Sequence, residues 1–276
     1  MTDRACLAFD TSNYTTSVCA FDGETADAHA RLLPVGEGEL GLRQSDAVFH
    51  HTRALPELVE QLGSLAPCAV GASDRPREAE GSYMPCFLVG TAAARSAASL
   101  FGVPFLPFTH QQGHVAAAAW SAGRPELLDA PLMAWHLSGG TTELLLVRPD
   151  GRGGVSCSRI GGTKDISAGQ LLDRTGKRLG VAFPAGKALD DAADPGCGET
   201  FRVRADGLEF SLSGMENKLA DMIGRGAGMC SAASCALNTV SRAVLSATEN
   251  ALKQYGDLPV LFSGGVSGSS ILRGHI

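Results

Sequence analysis

The chain has 276 residues, 44% of them hydrophobic and 19% charged, a globular balance with material for one large domain or two of ordinary size. Its 23 basic against 29 acidic side chains leave a formal net charge of −6, so bulk charge supplies no basic face for phosphate-driven RNA binding. No stretch of about 18 apolar residues exists, the opening Met1-Thr2-Asp3-Arg4 lacks signal-peptide character, and the eight cysteines include no CxxC pair; the expectation is a cytoplasmic chain with reduced thiols and no membrane partner.

Along the chain, Cys6–Phe9 and Thr16–Phe21 read as strands joined by the polar turn Asp10-Thr11-Ser12-Asn13-Tyr14. A helix is expected over Thr52–Leu62, then a strand at Cys68–Gly71, a polar loop over Ser73–Ser82, a small-residue helix over Val89–Leu100 and a short strand at Pro104–Leu106. The runs Pro131–Leu137 and Glu143–Val147 flank the turn Ser138-Gly139-Gly140-Thr141. They repeat the opening layout at an offset of 126 residues, which lays Ser12 on Ser138 and Thr15-Thr16 on Thr141-Thr142. Helices over Ala168–Leu179 and Leu237–Tyr255 follow, and the apolar run Pro259–Phe262 ends at the glycine pair Gly264-Gly265. Strands alternating with helices argue an α/β fold, and the half-chain repeat argues duplication, with units expected at 1–125 and 126–276.

Several residue types stand where chemistry collects. His110 and His114, four apart at the start of the helical run Val115–Trp120, share one helix face and suit a divalent metal, with Thr109 as the helix N-cap. Asp10, at the end of the first strand, is either an Asx-turn acceptor or a carboxylate that holds a hydrated metal or polarises a water or amine. Asp165 and Asp173 bracket the start of the helix Ala168–Leu179: Asp173 suits a ribose hydroxyl or amino group, Asp165 the helix N-terminus, and both also fit solvated helix charges. His50 and His51 are expected to face solvent ahead of their helix, and Arg75 and Arg77 lie in a mixed-charge loop able to touch a polyanion.

Taken in order, the segments FDTSNYTTSV, THQQGH, HLSGGTTELLLV, DISAGQLLDRTGKRLG with FPAG, FSLSG and FSGGVSGSSILR resemble those of the TsaD/Gcp family of tRNA threonylcarbamoyltransferases. The resemblance implies a duplicated actin/hexokinase-like (ASKHA) α/β fold, with two ribonuclease H-like subdomains and a cleft between them. It also implies transfer of a threonylcarbamoyl group from threonylcarbamoyl-AMP to an adenosine amine in tRNA, with partner subunits. Residue by residue, it implies His110 and His114 as ligands of one divalent ion (Fe²⁺ or Zn²⁺), Asp10 as a catalytic group, and Leu137, Ser138, Gly139, Gly140, Thr141, Asp173, Gly186 and Ser269 as substrate-binding positions.

The chain departs from the family pattern at several positions. Asn13-Tyr14-Thr15 replace an acidic pair, Thr141 a histidine, the stretch around Ser82-Tyr83-Met84-Pro85 a GPG-type loop, and Ser269 an asparagine. The family's remaining metal ligand, an aspartate, would fall beyond Ile276, which reads as a divergent or C-terminally truncated member. Two readings follow: the transferase, or a non-catalytic paralogue acting as a binding or scaffold subunit. A protease of the HExxH kind is disfavoured because Gln111-Gln112 occupy the interior of the histidine pair.

Overall fold

The computed structural model describes residues 5–12, 14–34 and 42–275. Asn13 of the first expected turn, and the opening residues 1–4, lie outside that set. The chain forms two compact units, Met1–His114 and Val115–Ile276.

In the first unit, β1 (Cys6–Asp10), β2 (Thr15–Phe21) and β3 (Ala26–Leu32) form an antiparallel meander, followed by α1 (Gln44–Gln61), β4 (Ala69–Arg75), α2 (Phe87–Phe101) and β5 (Phe105–Thr109). β4 joins β1 in parallel and β5 joins β4 in parallel, giving the order β3-β2-β1-β4-β5. Alternate residues of the central strands (Leu7, Phe9, Val18, Ala20, Val70, Ala72) turn inward and pack on Leu55, Leu58 and Leu62 of α1 and its end and on Ala94 and Ala98 of α2. Helix α3 (His110–Ser121) starts directly after β5, and the chain leaves the first unit within it.

The second unit repeats the plan. β6 (Leu132–Leu137), β7 (Thr142–Pro149) and β8 (Val155–Thr163) form the meander; α4 (Ala168–Arg178), α5 (Gly186–Ala192), the short strands β9 (Ala205–Asp206) and β10 (Glu209–Phe210), α6 (Ser213–Gly224) and α7 (Met229–Tyr255) follow. β11 (Val260–Ser263) then pairs in parallel with β6, and α8 (Ser270–His275) closes the described chain. The order is β11-β6-β7-β8-β10-β9. Alternation along β6 sends Leu132 and Ala134 to one face, with Val115 and Ala119 of α3, and Met133, Trp135 and Leu137 to the other, with Leu171 of α4 and Val240 of α7. Helix α7 is buried all round from Ala232 to Ser241, and two of its hydroxyls bond back within the helix: Ser241 donates to the Leu237 carbonyl and Thr248 to that of Val244.

The 126-residue offset therefore superposes β1 on β6 and β2 on β7. Its threonines do equivalent work. Thr16, buried on β2, contacts His51 Nδ1 of α1 at 2.7 Å, and Thr142, buried on β7, accepts from the Ala168 N–H of α4 at 2.8 Å. This corrects the expectation for His51, which is fully buried inside α1 and ties that helix to the sheet.

Candidate functional site

Each unit assembles part of the expected residue set. In the first, β1 ends at Asp10, and its two carboxylate oxygens do different things. Oδ1 accepts from the Ser12 N–H at 2.8 Å, closing an Asx turn, while Oδ2 lies 2.8 Å from Nδ1 of His110. The Asx-turn role open to Asp10 from the sequence is filled, and its other oxygen contacts His110. Burial would push the Asp10 carboxyl up, but the hydrogen bond and charge of His110 and the bonds from Ser12 outweigh it and hold it down at about 2.

Thr109 and Gln112 close the start of α3 reciprocally: the Gln112 N–H donates to Thr109 Oγ1 and the Thr109 N–H to Gln112 Oε1. This capping box sets the helix register, so His110 and His114 project on one face with their Nε2 atoms 2.8 Å apart. His110 thus faces Asp10 through Nδ1 and His114 through Nε2, so the carboxylate and the two rings form one chain of contacts. The loop after β4 is drawn against the same turn: the Gln111 N–H donates to the Pro76 carbonyl, and Gln112 Nε2 to Glu78 Oε1 at 3.0 Å. Arg75, offered by the sequence as a polyanion contact, is paired with Asp74 at 2.8 Å. Among the described residues no group of three or more His, Cys, Asp or Glu side chains is arranged to hold a metal ion. The donors that do converge, two imidazole nitrogens backed by a carboxylate, are of a kind that fits a divalent cation whose other ligands come from elsewhere.

In the second unit a cavity of about 420 Å³ gathers residues from four separated segments: Gly139 of the β6–β7 turn, Asp173 of α4, Gly186 of α5, and Ser269 before α8. The size suits a nucleotide-scale ligand. The turn Ser138–Thr141 is closed on itself, with the Ser138 N–H donating to the Thr141 carbonyl and the Thr141 N–H to Ser138 Oγ; Gly139 and Gly140 are exposed, and Leu137 is wholly buried. A second capping box, Ser167 with Gln170, starts α4, and Ser167 Oγ also donates to the Gly139 carbonyl at 2.6 Å.

Glycine is required at two of the close approaches here. A Cβ on Gly169 would sit 2.4 Å from Gly139 Cα, and one on Gly264, at φ +92°, would sit 2.3 Å from the Leu137 carbonyl oxygen. Asp173 accepts from the Ala185 N–H at 2.8 Å, fixing the loop with the cis Phe183–Pro184 bond that leads into Gly186.

Asp165 is placed differently from the sequence expectation. It accepts from the Ser211 and Ser213 hydroxyls and the Leu212 and Ser213 N–H groups, and so caps α6 rather than α4. Asp190, which sequence reading did not single out, lines the cavity and accepts from the Ser269 hydroxyl and from the Ser270 N–H at 2.9 Å. Burial opposes its ionisation, yet these donors lower its pKa. The only local signal was its place one helical turn beyond Gly186, on the same face of α5. His275 Nε2 lies 3.0 Å from Asn238 Oδ1.

Comparison with known proteins bears on the fold and the family. A crystal structure of full-length HypF in the phosphate- and nucleotide-bound form matches 98% of this chain and 42% of its own, at TM-score 0.64 and 14% identity, and a glucokinase from Parabacteroides distasonis matches 99% and 77%, at 0.52 and 14%. These likenesses concern the fold, which is ASKHA-type: α/β with two mixed sheets. A tRNA N6-adenosine threonylcarbamoyltransferase of Streptococcus pneumoniae (strain P1031) is 29% identical over 290 aligned residues, 99% of this chain and 83% of that protein. One of Lactiplantibacillus plantarum is 34% identical over 197, or 67% and 54%. The family model for TsaD, tRNA N6-adenosine threonylcarbamoyltransferase, matches residues 46–276. With a family model matched over most of its length, the chain belongs to the tRNA N6-adenosine threonylcarbamoyltransferase family.

Proposed function

We propose that this chain transfers the threonylcarbamoyl group of threonylcarbamoyl-AMP to the exocyclic amine of an adenosine in tRNA, in the cytoplasm and with partner subunits. The observation that carries the reading is the convergence of Gly139, Asp173, Gly186 and Ser269 on one nucleotide-sized cavity, in a chain of this family. The adenylate would lie there, with the exposed Gly139-Gly140 backbone offering N–H donors to the phosphate without side-chain bulk, and Asp173 Oδ2 accepting from a ribose hydroxyl while Oδ1 keeps Ala185. In the reaction the amine nitrogen bonds to the carbamoyl carbon, the bond from that carbon to the phosphate oxygen breaks, AMP leaves with the electron pair, and the amine proton passes to solvent.

His110 and His114 would hold a divalent ion, Fe²⁺ or Zn²⁺, which supplies charge neutralisation to a bound anion. Asp10 we assign to orienting His110, since one carboxylate oxygen accepts from the Ser12 N–H and the other faces His110 Nδ1. The net charge of −6 makes partner subunits the natural source of basic surface for tRNA.

The test is a thermal-shift titration with a stable threonylcarbamoyl-adenylate analogue, with and without Fe²⁺ or Zn²⁺, followed by a transfer assay on unmodified tRNA. At ~100 times its Kd the analogue adds about 2.7 kcal/mol to stability. Asp173→Ala is expected to weaken that shift with the fold intact. A folded chain showing no shift would remove the proposal and leave a scaffold role.

A further inference from the structure

All eight cysteines are thiols rather than disulfides, and two of them stand apart from the rest. Cys6, the first residue of β1, and Cys68, immediately before β4, are exposed, and their Sγ atoms are 3.9 Å apart. Their backbones are already neighbours, because the Cys68 N–H donates to the Ala5 carbonyl at 3.0 Å and Cys6 pairs with Ala69 in the parallel ladder. A disulfide needs Sγ atoms at about 2.05 Å and Cα atoms no more than about 7 Å apart, and adjacent strands, about 4.8 Å apart, supply the second condition. The bond forms if the two sulfurs, 3.9 Å apart, approach to that bond length. Of the other cysteines, Cys86, Cys157 and Cys235 are buried.

We propose that Cys6 and Cys68 form a redox-modification site, a pair that a small-molecule disulfide converts to a reversible intrachain bond. One cysteine thiolate attacks a sulfur of the small disulfide and expels one thiolate, leaving a mixed disulfide on the protein. The second cysteine, as thiolate, attacks the protein-side sulfur of that mixed disulfide and expels the second small thiolate. In sum two protein thiols lose two electrons and two protons, and one disulfide is reduced to two thiols. Because the second cysteine is held within contact of the first, the closing step is intramolecular and outruns accumulation of the mixed disulfide. The bond would staple the starts of β1 and β4, at the end of β1 away from Asp10, and is independent of the function proposed above.

The reduced, desalted full chain is incubated with glutathione disulfide, its remaining thiols are capped with N-ethylmaleimide, and tryptic peptides are mapped by mass with fragmentation. The expected product joins the peptide of residues 5–31 to that of residues 54–77 through Cys6 and Cys68, two hydrogens lighter than their sum. It is released by dithiothreitol and absent from Cys6→Ser and Cys68→Ser, whereas Cys19→Ser retains it. Capping of Cys6 and Cys68 should fall together by at least about tenfold while that of Cys19 changes less than about twofold. The oxidised chain should also melt at a higher temperature than the reduced one, and both serine variants should lose that difference. Glutathione retained on either cysteine without a cross-link, cross-links shared indiscriminately with Cys19, or unchanged capping of both would each overturn the proposal.

Discussion

Replacing Gly169 with alanine adds one methyl group where the start of α4 meets the Ser138–Thr141 turn. The new Cβ would lie 2.4 Å from Gly139 Cα, 2.6 Å from the Ser138 carbonyl oxygen and 2.9 Å from the Gly139 nitrogen. All three are backbone atoms, so no flexible side chain can swing aside, and relief to an ordinary ~3.5 Å contact requires the turn or the helix to move by about 1 Å. Overpacking of this kind costs about 1–3 kcal/mol, against which the better helix propensity of alanine returns at most about 1. The clash wins, by roughly 1–2 kcal/mol. If the turn yields, a ligand that needs its original position must restore the clash on binding, and the same 1–2 kcal/mol reappears as a ~5–30-fold weaker Kd.

Gly214→Ala is the matched control. Gly214 is likewise the second residue of its helix, α6, but nothing lies within 4 Å of its added Cβ, so it should be neutral or stabilising by up to about 1 kcal/mol. Urea unfolding and titration with the adenylate analogue read both effects. A Gly169→Ala chain as stable as Gly214→Ala, with undiminished affinity, would refute the close approach as a constraint on the turn.

His110→Ala with His114→Ala should abolish metal retention, measured by elemental analysis of the purified chain, while circular dichroism stays unchanged because both rings are only half-buried; stoichiometric metal in the double variant would sink the assignment. Thr248→Val should cost about 1–3 kcal/mol in urea unfolding, because the wholly buried Trp135 indole N–H, 2.8 Å from Thr248 Oγ1, would lose its acceptor. Asp165 should contribute to acid sensitivity. Burial raises its pKa, but the Ser211 and Ser213 hydroxyls and the Leu212 and Ser213 N–H groups lower it further, so the folded value lies below the unfolded one. Its contribution is then present above about pH 4 and lost as pH falls through the folded value. Asp165→Ala should flatten the fall of the urea midpoint below pH 4, and an unchanged slope would argue that the α6 cap is not populated.

The strands that carry the two turns were legible because each combines an apolar run with an abrupt polar or glycine stop, and because the repeat doubles the signal. α3 was legible through its N-cap Thr109; the Ser167 cap of α4, three residues before Gln170, was present in the sequence but not used. β3 was missed because an edge strand with most of its residues exposed, Ala-Asp-Ala-His-Ala-Arg-Leu, has no apolar face to display. The first half of α7 was missed for the opposite reason: Ala232–Ser241 are buried on every side, so small residues replace any helical periodicity. His51 escaped as a core residue because its partner, Thr16, is 35 positions away. The clasp of Asp190 on Ser269, 79 residues apart, is likewise set by tertiary packing that no local pattern encodes. What motif order did place in one cavity are Gly139, Asp173, Gly186 and Ser269.

The repeat also separates two kinds of electrostatics on one template. The 126-residue offset lays Asp10 on His136, so one copy ends its first strand with an ionised carboxylate while the other passes through Leu137 to a turn of serine and bare glycine backbone. A carboxylate repels anions and gathers cations or imidazoles; exposed peptide N–H groups do the reverse. Because each turn is anchored within its own sheet, by Thr16 to α1 in one and Thr142 to α4 in the other, a substitution that alters the preference of one copy leaves the other's hydrogen bonding untouched. Duplication of a single strand–turn–strand thus gives evolution two sites of opposite sign that can drift independently.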